Sequence, residues 1–211
     1  MNALIIGSGG DVDKSRLEGI KADYVICADG GLEKAEKLGL KPDLILGDFD
    51  SVDLSVLKNY RQLNIETVTF PSEKDYTDME LAVENALQRG AKNIVMTGAT
   101  GTRLDHTMAN IQLLEKYHRL GIDIVIIDNN NYIKIISDNT DMEIEYKKDC
   151  FVSLVPVTEK IEGLTLKGFK YPLTDVIVER GTTFLISNEI IQKTGRIILK
   201  RGTALVFISN D

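Results

Sequence analysis

Five loops hold most of the side chains in this sequence that could do chemistry. The sharpest is Gly47-Asp48-Phe49-Asp50-Ser51, directly after the apolar Leu44-Ile45-Leu46. Two aspartates one residue apart can converge on a single cation if the chain turns between them. Magnesium takes oxygen ligands and keeps water and substrate phosphate in its shell. A plain turn with Asp50 or Ser51 as a helix cap explains Ser51 well and Asp48 poorly. Acidic groups crowded behind a buried strand repel one another unless a cation or donors offset the charge.

The stretch Ser72-Glu73-Lys74-Asp75-Tyr76-Thr77-Asp78-Met79-Glu80 reads as a helix start, with Thr77 and Glu80 at capping-box spacing. Capping leaves Lys74, Asp75 and Asp78 unexplained. A helix N-terminus favours anions, so phosphate could share this site with Lys74 as its point charge. Asp78 suits the helix dipole on one reading and is a further magnesium ligand on the other. Gly98-Ala99-Thr100-Gly101-Thr102-Arg103-Leu104-Asp105-His106 is a glycine turn that aims a fork-shaped cation, Arg103, near a helix start. Arginine holds phosphate bidentately. Asp105 is also a natural N-cap, and His106 reads as a helix-start or packing residue.

Two weaker loops remain. Gly7-Ser8-Gly9-Gly10-Asp11 lacks the third glycine of the dinucleotide fingerprint, because position 12 is Val12. Ala28-Asp29-Gly30-Gly31 is either an Asp-Gly turn or a ribose or metal-water contact through Asp29. Taken together, aspartates, two cations and glycine loops are what phosphoryl-type transfer needs: a metal clamp and positioned phosphates, with little covalent work by the protein.

These loops need a frame that brings them to one edge. Up to about residue 128, short apolar strands (Ala3–Ile6, Tyr24–Ala28, Leu44–Leu46, Glu66–Thr69, Asn93–Thr97, Asp123–Ile127) alternate with helical stretches. The helices fall near Lys14–Gly19, Leu32–Lys37, Ser55–Asn59, Asp78–Gln88 and Asp105–Leu120. Such alternation predicts a mostly parallel sheet covered on both faces, with ligands beyond the carboxyl ends of its strands. After the polar run Asp128-Asn129-Asn130-Asn131 the rhythm changes to short strands: Tyr132–Ile136, Met142–Tyr146, Phe151–Val157, Leu164–Leu166, Asp175–Val178, Phe184–Ile186, Arg196–Leu199 and Ala204–Ile208. The fold class predicted is an N-terminal mostly parallel three-layer α/β domain, residues 1–128, followed by a small all-β sandwich domain, residues 129–211.

Composition narrows the function classes. The 211 residues are 43% hydrophobic and 27% charged, which excludes disordered and low-complexity chains. No apolar run approaches a membrane span of about 18 residues. Met1 to Gly10 has neither a basic nor a long apolar region, so no signal peptide is expected. Two distant cysteines, Cys27 and Cys150, do not make a disulfide framework or a zinc site. A reduced, cytoplasmic protein is expected. The net charge of −7 argues against a nucleic-acid backbone as the main ligand.

In order and spacing, Asp29-Gly30-Gly31, Gly47 to Ser51, Lys74 to Glu80 and Gly101 to His106 resemble the thiamine pyrophosphokinase (thiamine diphosphokinase) family. The resemblance runs on through Gly168-Phe169-Lys170-Tyr171-Pro172-Leu173 and Ser187-Asn188-Glu189, and so spans nearly the whole chain. It implies a nucleotide domain for ATP and a β-sandwich domain for thiamine, in a homodimer with active sites between subunits. The implied reaction converts ATP and thiamine to AMP and thiamine diphosphate, with no role for nucleic acid or membrane. By the same likeness Asp48, Asp50 and Asp78 hold Mg²⁺ on the triphosphate, and Lys74, Thr77 and Arg103 contact phosphates or nucleotide. Asp29, Gly30 and Gly31 line that pocket. Asp105 sits at the thiamine end, and Ser187 and Asn188 face thiamine. Tyr171 supplies the stacking face that tryptophan supplies in some members, with Phe169 as its rival. Two other readings stay open. One is a glycosyl or nucleotidyl transferase using Asp48 and Asp50 on a nucleotide-sugar; the other is a non-catalytic nucleotide sensor.

Overall fold

The computed structural model describes residues 1–48, 65–71, 73 and 75–211. The expected helix Ser55–Asn59 and the side chains Phe49, Asp50, Ser51 and Lys74 lie outside the described residues. The described chain divides into two units, Met1–Asn129 and Asn130–Asp211.

In the first unit the strands are β1 (Asn2–Ile6), β2 (Tyr24–Ala28), β3 (Leu44–Gly47), β4 (Glu66–Thr69), β5 (Asn93–Thr97) and β6 (Asp123–Ile127). They stand in the order β4-β3-β2-β1-β5-β6, and every neighbouring pair is parallel. Alternation along each strand sends side chains to both faces. Leu4, Ile6, Cys27 and Ile45 point to one face, where they meet Leu32, Ala35 and Leu38 of α1 (Gly31–Leu38). Each leucine buried there contributes roughly 1.5–3 kcal/mol. Ile5, Ile26, Leu44 and Leu46 alternate to the other face and are fully buried.

The other two helices are α2 (Asp78–Gln88) and α3 (Leu104–His118). Each buries an apolar stripe: Met79, Ala82, Val83 and Ala86 on α2, and Leu113, Leu114 and Tyr117 on α3. Polar links join the two. The fully buried Tyr117 donates its hydroxyl to Glu84 at 2.7 Å, and Lys116 reaches Glu80 at 2.6 Å. The first unit is therefore the expected three-layer α/β arrangement.

The strand order places a switch point. The crossovers from β1 run outward through β2 and β3 to β4, and the chain then returns to β5 on the opposite side of β1. The loops leaving β1 and β5 lie side by side there, at the part of the carboxyl edge where such sheets take ligands.

One expected helix is absent. Lys14–Leu17 is a single 3-10 turn that buries no residue, and Glu18 after it is already extended. Without an apolar stripe to bury, this segment has nothing to hold a longer helix in place.

The second unit is all β. Strands β7 (Asn131–Ile136), β13 (Ala204–Ser209) and β9 (Phe151–Pro156) pair antiparallel. A second antiparallel sheet has the order β11 (Leu173–Glu179), β10 (Lys160–Lys167), β12 (Thr194–Leu199) and β8 (Thr140–Glu145). Their inner faces share one core, in which Val152, Leu154 and Val206 meet Leu164, Leu166, Ile197 and Leu199. This is a sandwich. Lys200 to Thr203 links β12 to β13, which lie in different sheets. The expected strand Phe184–Ile186 is irregular instead: Ile186 N–H closes a turn on Thr183 O at 3.2 Å, and Leu185 alone is buried.

Candidate active site

The crevice at the switch point is a cavity of about 420 Å³. The loops after β1, β2 and β5 line it, together with the starts of α2 and α3. The two glycine loops build its floor by hydrogen-bonding each other. Gly7 N–H donates to Thr97 O and Gly9 N–H to Gly98 O, each at 2.8 Å, and Gly10 N–H donates to Thr100 O at 2.5 Å. Gly98 has φ +62°, and a Cβ there would lie 2.2 Å from Gly7 O, so no larger residue keeps both loops in place. These three N–H groups of the first loop are spent on loop-to-loop bonds. Lys34 of α1, with only 13% of its side chain exposed, fastens the loop further by donating to Gly9 O and pairing with Asp11 at 2.9 Å.

Asp29 lines the cavity from the end of β2. Its backbone is left-handed (φ +51°), a conformation aspartate tolerates better than most residues, and its N–H donates to Leu46 O at 2.8 Å. Gly30 and Gly31 do not line the cavity; they cap and begin α1. Gly31 is there for packing, since a Cβ would sit 1.9 Å from Ile6 O. Asp48 follows β3, half-buried. The preceding residue, Gly47, approaches Asp29 so closely that a Cβ on it would lie 3.2 Å from the Asp29 Cα. Asp78 and Thr77 line the cavity from the start of α2. Thr77 is the N-cap, accepting Glu80 N–H at 3.3 Å. The reciprocal half of the expected capping box is not made, because the Glu80 carboxylate turns to Lys116.

Arg103, not Asp105, is the N-cap residue of α3. Asp105 lies in the first turn and takes Arg103 as a fork: Nε to Oδ1 at 3.2 Å and Nη2 to Oδ2 at 2.6 Å. The hydrogen bond from Arg103 is the main reason the Asp105 carboxyl is held down at about 2. Arg103 and His106 line the cavity, and the pair itself is exposed.

Three residues that the sequence did not single out belong to this site. Asn110, only 7% exposed, donates its amide to Ala99 O at 2.7 Å. Thr100 donates to the buried Asp128 at 2.6 Å, which braces the same glycine loop from the end of β6. Met79 supplies an apolar wall. Asn110 follows Arg103 by two helical turns, a spacing that puts both on one helix face and was the one signal available for it.

Among the described residues no three His, Cys, Asp or Glu side chains gather closely enough to hold a metal ion. The expected set Asp48, Asp50 and Asp78 includes a residue outside that description.

In the second unit, Tyr171 is exposed and Phe169 is not: 60% against 2%. The Phe169 ring belongs to the sandwich core beside Ile190, so it cannot present a face to a ligand. Asn188 is buried and its amide is occupied with backbone. It donates to Tyr171 O at 2.9 Å and accepts from the N–H groups of Tyr171 at 3.1 Å and Glu189 at 2.9 Å. Its work is to fix the Tyr171 segment. Ser187 is exposed at φ +58°, with its N–H on Ser153 Oγ at 2.9 Å.

Fold and cavity define a two-unit protein, α/β then all-β, of the class that takes ligands at the carboxyl edge of a parallel sheet. The family description "Thiamin pyrophosphokinase, catalytic domain" matches residues 18–126, and "Thiamin pyrophosphokinase, vitamin B1 binding domain" matches residues 139–203. The chain belongs to the thiamine pyrophosphokinase family. A thiamine pyrophosphokinase of Bacillus subtilis (strain 168) is 35% identical over 187 residues, covering 88% of this chain and 87% of the relative. The crystal structure of a Bacillus subtilis thiamine pyrophosphokinase superposes with a TM-score of 0.90 at 31% identity, over 100% of both chains. That of Geobacillus thermodenitrificans gives 0.85 at 34% identity, over 100% of this chain and 98% of the other. No described helix is long and apolar enough to cross a membrane.

Proposed function

We propose that this chain is an ATP:thiamine diphosphotransferase, making AMP and thiamine diphosphate. The observation that carries the reading is the cavity at the switch point, where Asp29, Thr77, Asp78 and Arg103 converge in a chain of this family. A nucleotide-sugar transferase built on Asp48 and Asp50 has no support among the relatives.

In this reaction the thiamine hydroxyl oxygen attacks the β-phosphorus of ATP. The bond from that phosphorus to the oxygen shared with the α-phosphate breaks, and AMP leaves with the electron pair. The hydroxyl proton departs late, because a loose transition state asks little of a base. Asp105 suits that role poorly, since a carboxyl held at about 2 is a weak proton acceptor at neutral pH. It orients Arg103 instead, and Arg103 holds phosphate oxygens as charge builds on them. Thr77 marks the α2 N-terminus, whose dipole favours the same phosphates. Lys74 adds a second positive charge in this account.

The donors suit magnesium. Asp29 and Asp78 line one cavity, Asp48 follows β3, the strand paired with the one that leads to Asp29, and all offer hard carboxylate oxygen. Asp48, Asp50 and Asp78 would hold the ion, which supplies positive charge to the triphosphate when bound. Tyr171 and Ser187 would meet thiamine, with Asn188 holding Tyr171 in place. The Tyr171 ring already draws a cation, since Lys170 Nζ lies 5.8 Å from its centre, so it suits a thiazolium. A homodimer in the cytoplasm completes the proposal, and the exposed Phe184, Ile186 and Ile191 of the second unit are apolar surface that a partner could cover. The experiment is chromatography of pure protein with ATP, Mg²⁺ and thiamine. AMP and thiamine diphosphate are expected in equal amounts, and AMP release without thiamine would refute the reading.

A further inference from the structure

We propose that Asn110 reads an exocyclic amino group on a substrate ring through its side-chain oxygen. The inference rests on the diphosphotransferase reading and deepens it. Asn110 lies on α3, is 7% exposed, and lines the cavity. Its Nδ2 donates to Ala99 O at 2.7 Å. A backbone carbonyl can only accept, so this bond fixes which way round the amide sits. The other end, Oδ1, takes no hydrogen bond from any described residue. Among the described residues, Thr97 Oγ1 alone is a buried side-chain atom without a hydrogen-bond partner. Asn110 Oδ1 is therefore open, and the cavity is where this residue opens.

An oriented acceptor selects its ligand by chemistry. Phosphate oxygens at neutral pH are acceptors themselves and are repelled, so the triphosphate belongs at the helix start marked by Thr77 and at Arg103. Met79 and Ala99, 7% and 3% exposed, give the cavity apolar walls that suit a flat ring whose edge donates. Both substrates carry that group: the amino group of adenine and the amino group of the pyrimidine in thiamine. A ring carbonyl in its place would set oxygen against oxygen.

The test has two arms. The first compares kcat/KM for ATP with that for its 6-oxo analogue ITP, at saturating thiamine. The second compares thiamine with its analogue bearing a ring carbonyl for the amino group, at saturating ATP. The native protein should favour the amino form at least about tenfold on one arm, as sites built around a hydrogen bond do. Asn110→Ala should bring that ratio within about threefold of unity and leave the other arm unchanged; the arm that collapses identifies the ring. Any general loosening of the Ala99 loop lowers both rates and cancels from the ratio. Native ratios near one on both arms overturn the inference without any variant, and so does a native preference that Asn110→Ala leaves intact. If native protein makes no product from ATP and thiamine, the diphosphotransferase reading itself falls and takes the inference with it.

Discussion

The Arg103–Asp105 pair is exposed, yet it has a clear electrostatic consequence. The Asp105 carboxyl is lowered to about 2, chiefly by its hydrogen bond from Arg103. A lowered carboxyl adds stability above its unfolded value, near 3.9, and loses it as pH falls through the folded one. The pair thus stays ionised across the neutral range, and a pH–rate profile should show no inflection from it between about pH 5 and 9. Asp105→Asn should leave that profile unchanged in shape while raising KM, because Arg103 loses its orienting partner. Two aromatic variants separate binding from packing. Tyr171→Ala should raise the thiamine KM with little change in urea midpoint, whereas Phe169→Ala, in the sandwich core, should cost about 3–5 kcal/mol in urea unfolding. Asp78→Asn should cut kcat by roughly 10²–10⁴ with little loss of stability. Legibility at this scale followed residue type. Charged side chains in the loops after strands and at helix starts stood out, and Asp29, Asp78 and Arg103 do line the cavity. Asn110, Thr100 and Asp128 were not, because their role comes from tertiary hydrogen bonds between segments far apart in sequence. Phe169 and Tyr171 were inseparable for a similar reason: two positions apart on an irregular stretch, they differ only in which one the core takes.

Secondary-structure elements make the site by meeting at their ends. α2 brings Thr77 and Asp78, and α3 brings Arg103, His106 and Asn110. The Tyr117–Glu84 and Lys116–Glu80 links fix one helix against the other. Tyr117→Phe should cost about 1 kcal/mol in urea unfolding, the usual worth of one hydrogen bond. Gly98→Ala is a harsher test, because it strains a left-handed backbone and pushes the β5 loop off the β1 loop. Activity should fall more than tenfold, and a variant as active as the parent would show that the floor of the cavity is not needed. Strongly periodic segments such as α2 were legible in the sequence to the residue. Two short ones were not. Lys14–Gly19 had helix-forming residues but no stripe to bury, and Phe184–Ile186 had strand-like residues but meets β9 through a bond from Leu154 N–H to Leu185 O and closes a turn on Thr183 instead of a regular ladder. Glu80 had the right spacing for a capping box, yet a lysine on the neighbouring helix outcompeted the backbone for its carboxylate.

Across the whole molecule, sheet order decides where chemistry happens. β5 lies beside β1 on the side away from β2, so the loops after β1 and β5 come to one place, and Asp29, Asp78 and Arg103 line the cavity there. Strand alternation predicted the parallel sheet but not its order, which depends on which edge each crossover takes; the unassuming Gly7–Gly10 loop therefore gained its role only in three dimensions. The second unit has its own core and carries Tyr171 and Ser187 on its surface, in a segment matched by the vitamin-binding family description. Sedimentation at micromolar concentration should show a dimer, and a fully active monomer would remove the partner from the account. The central claim is that both terminal phosphates of ATP move together, and isotopic position tests it most directly. With ATP labelled on the β-phosphorus, thiamine diphosphate should carry all of the transferred label in the phosphate nearest thiamine, and the AMP should carry none. Unlabelled thiamine diphosphate accompanied by labelled ADP would mean two successive transfers of the terminal phosphate, and would contradict it.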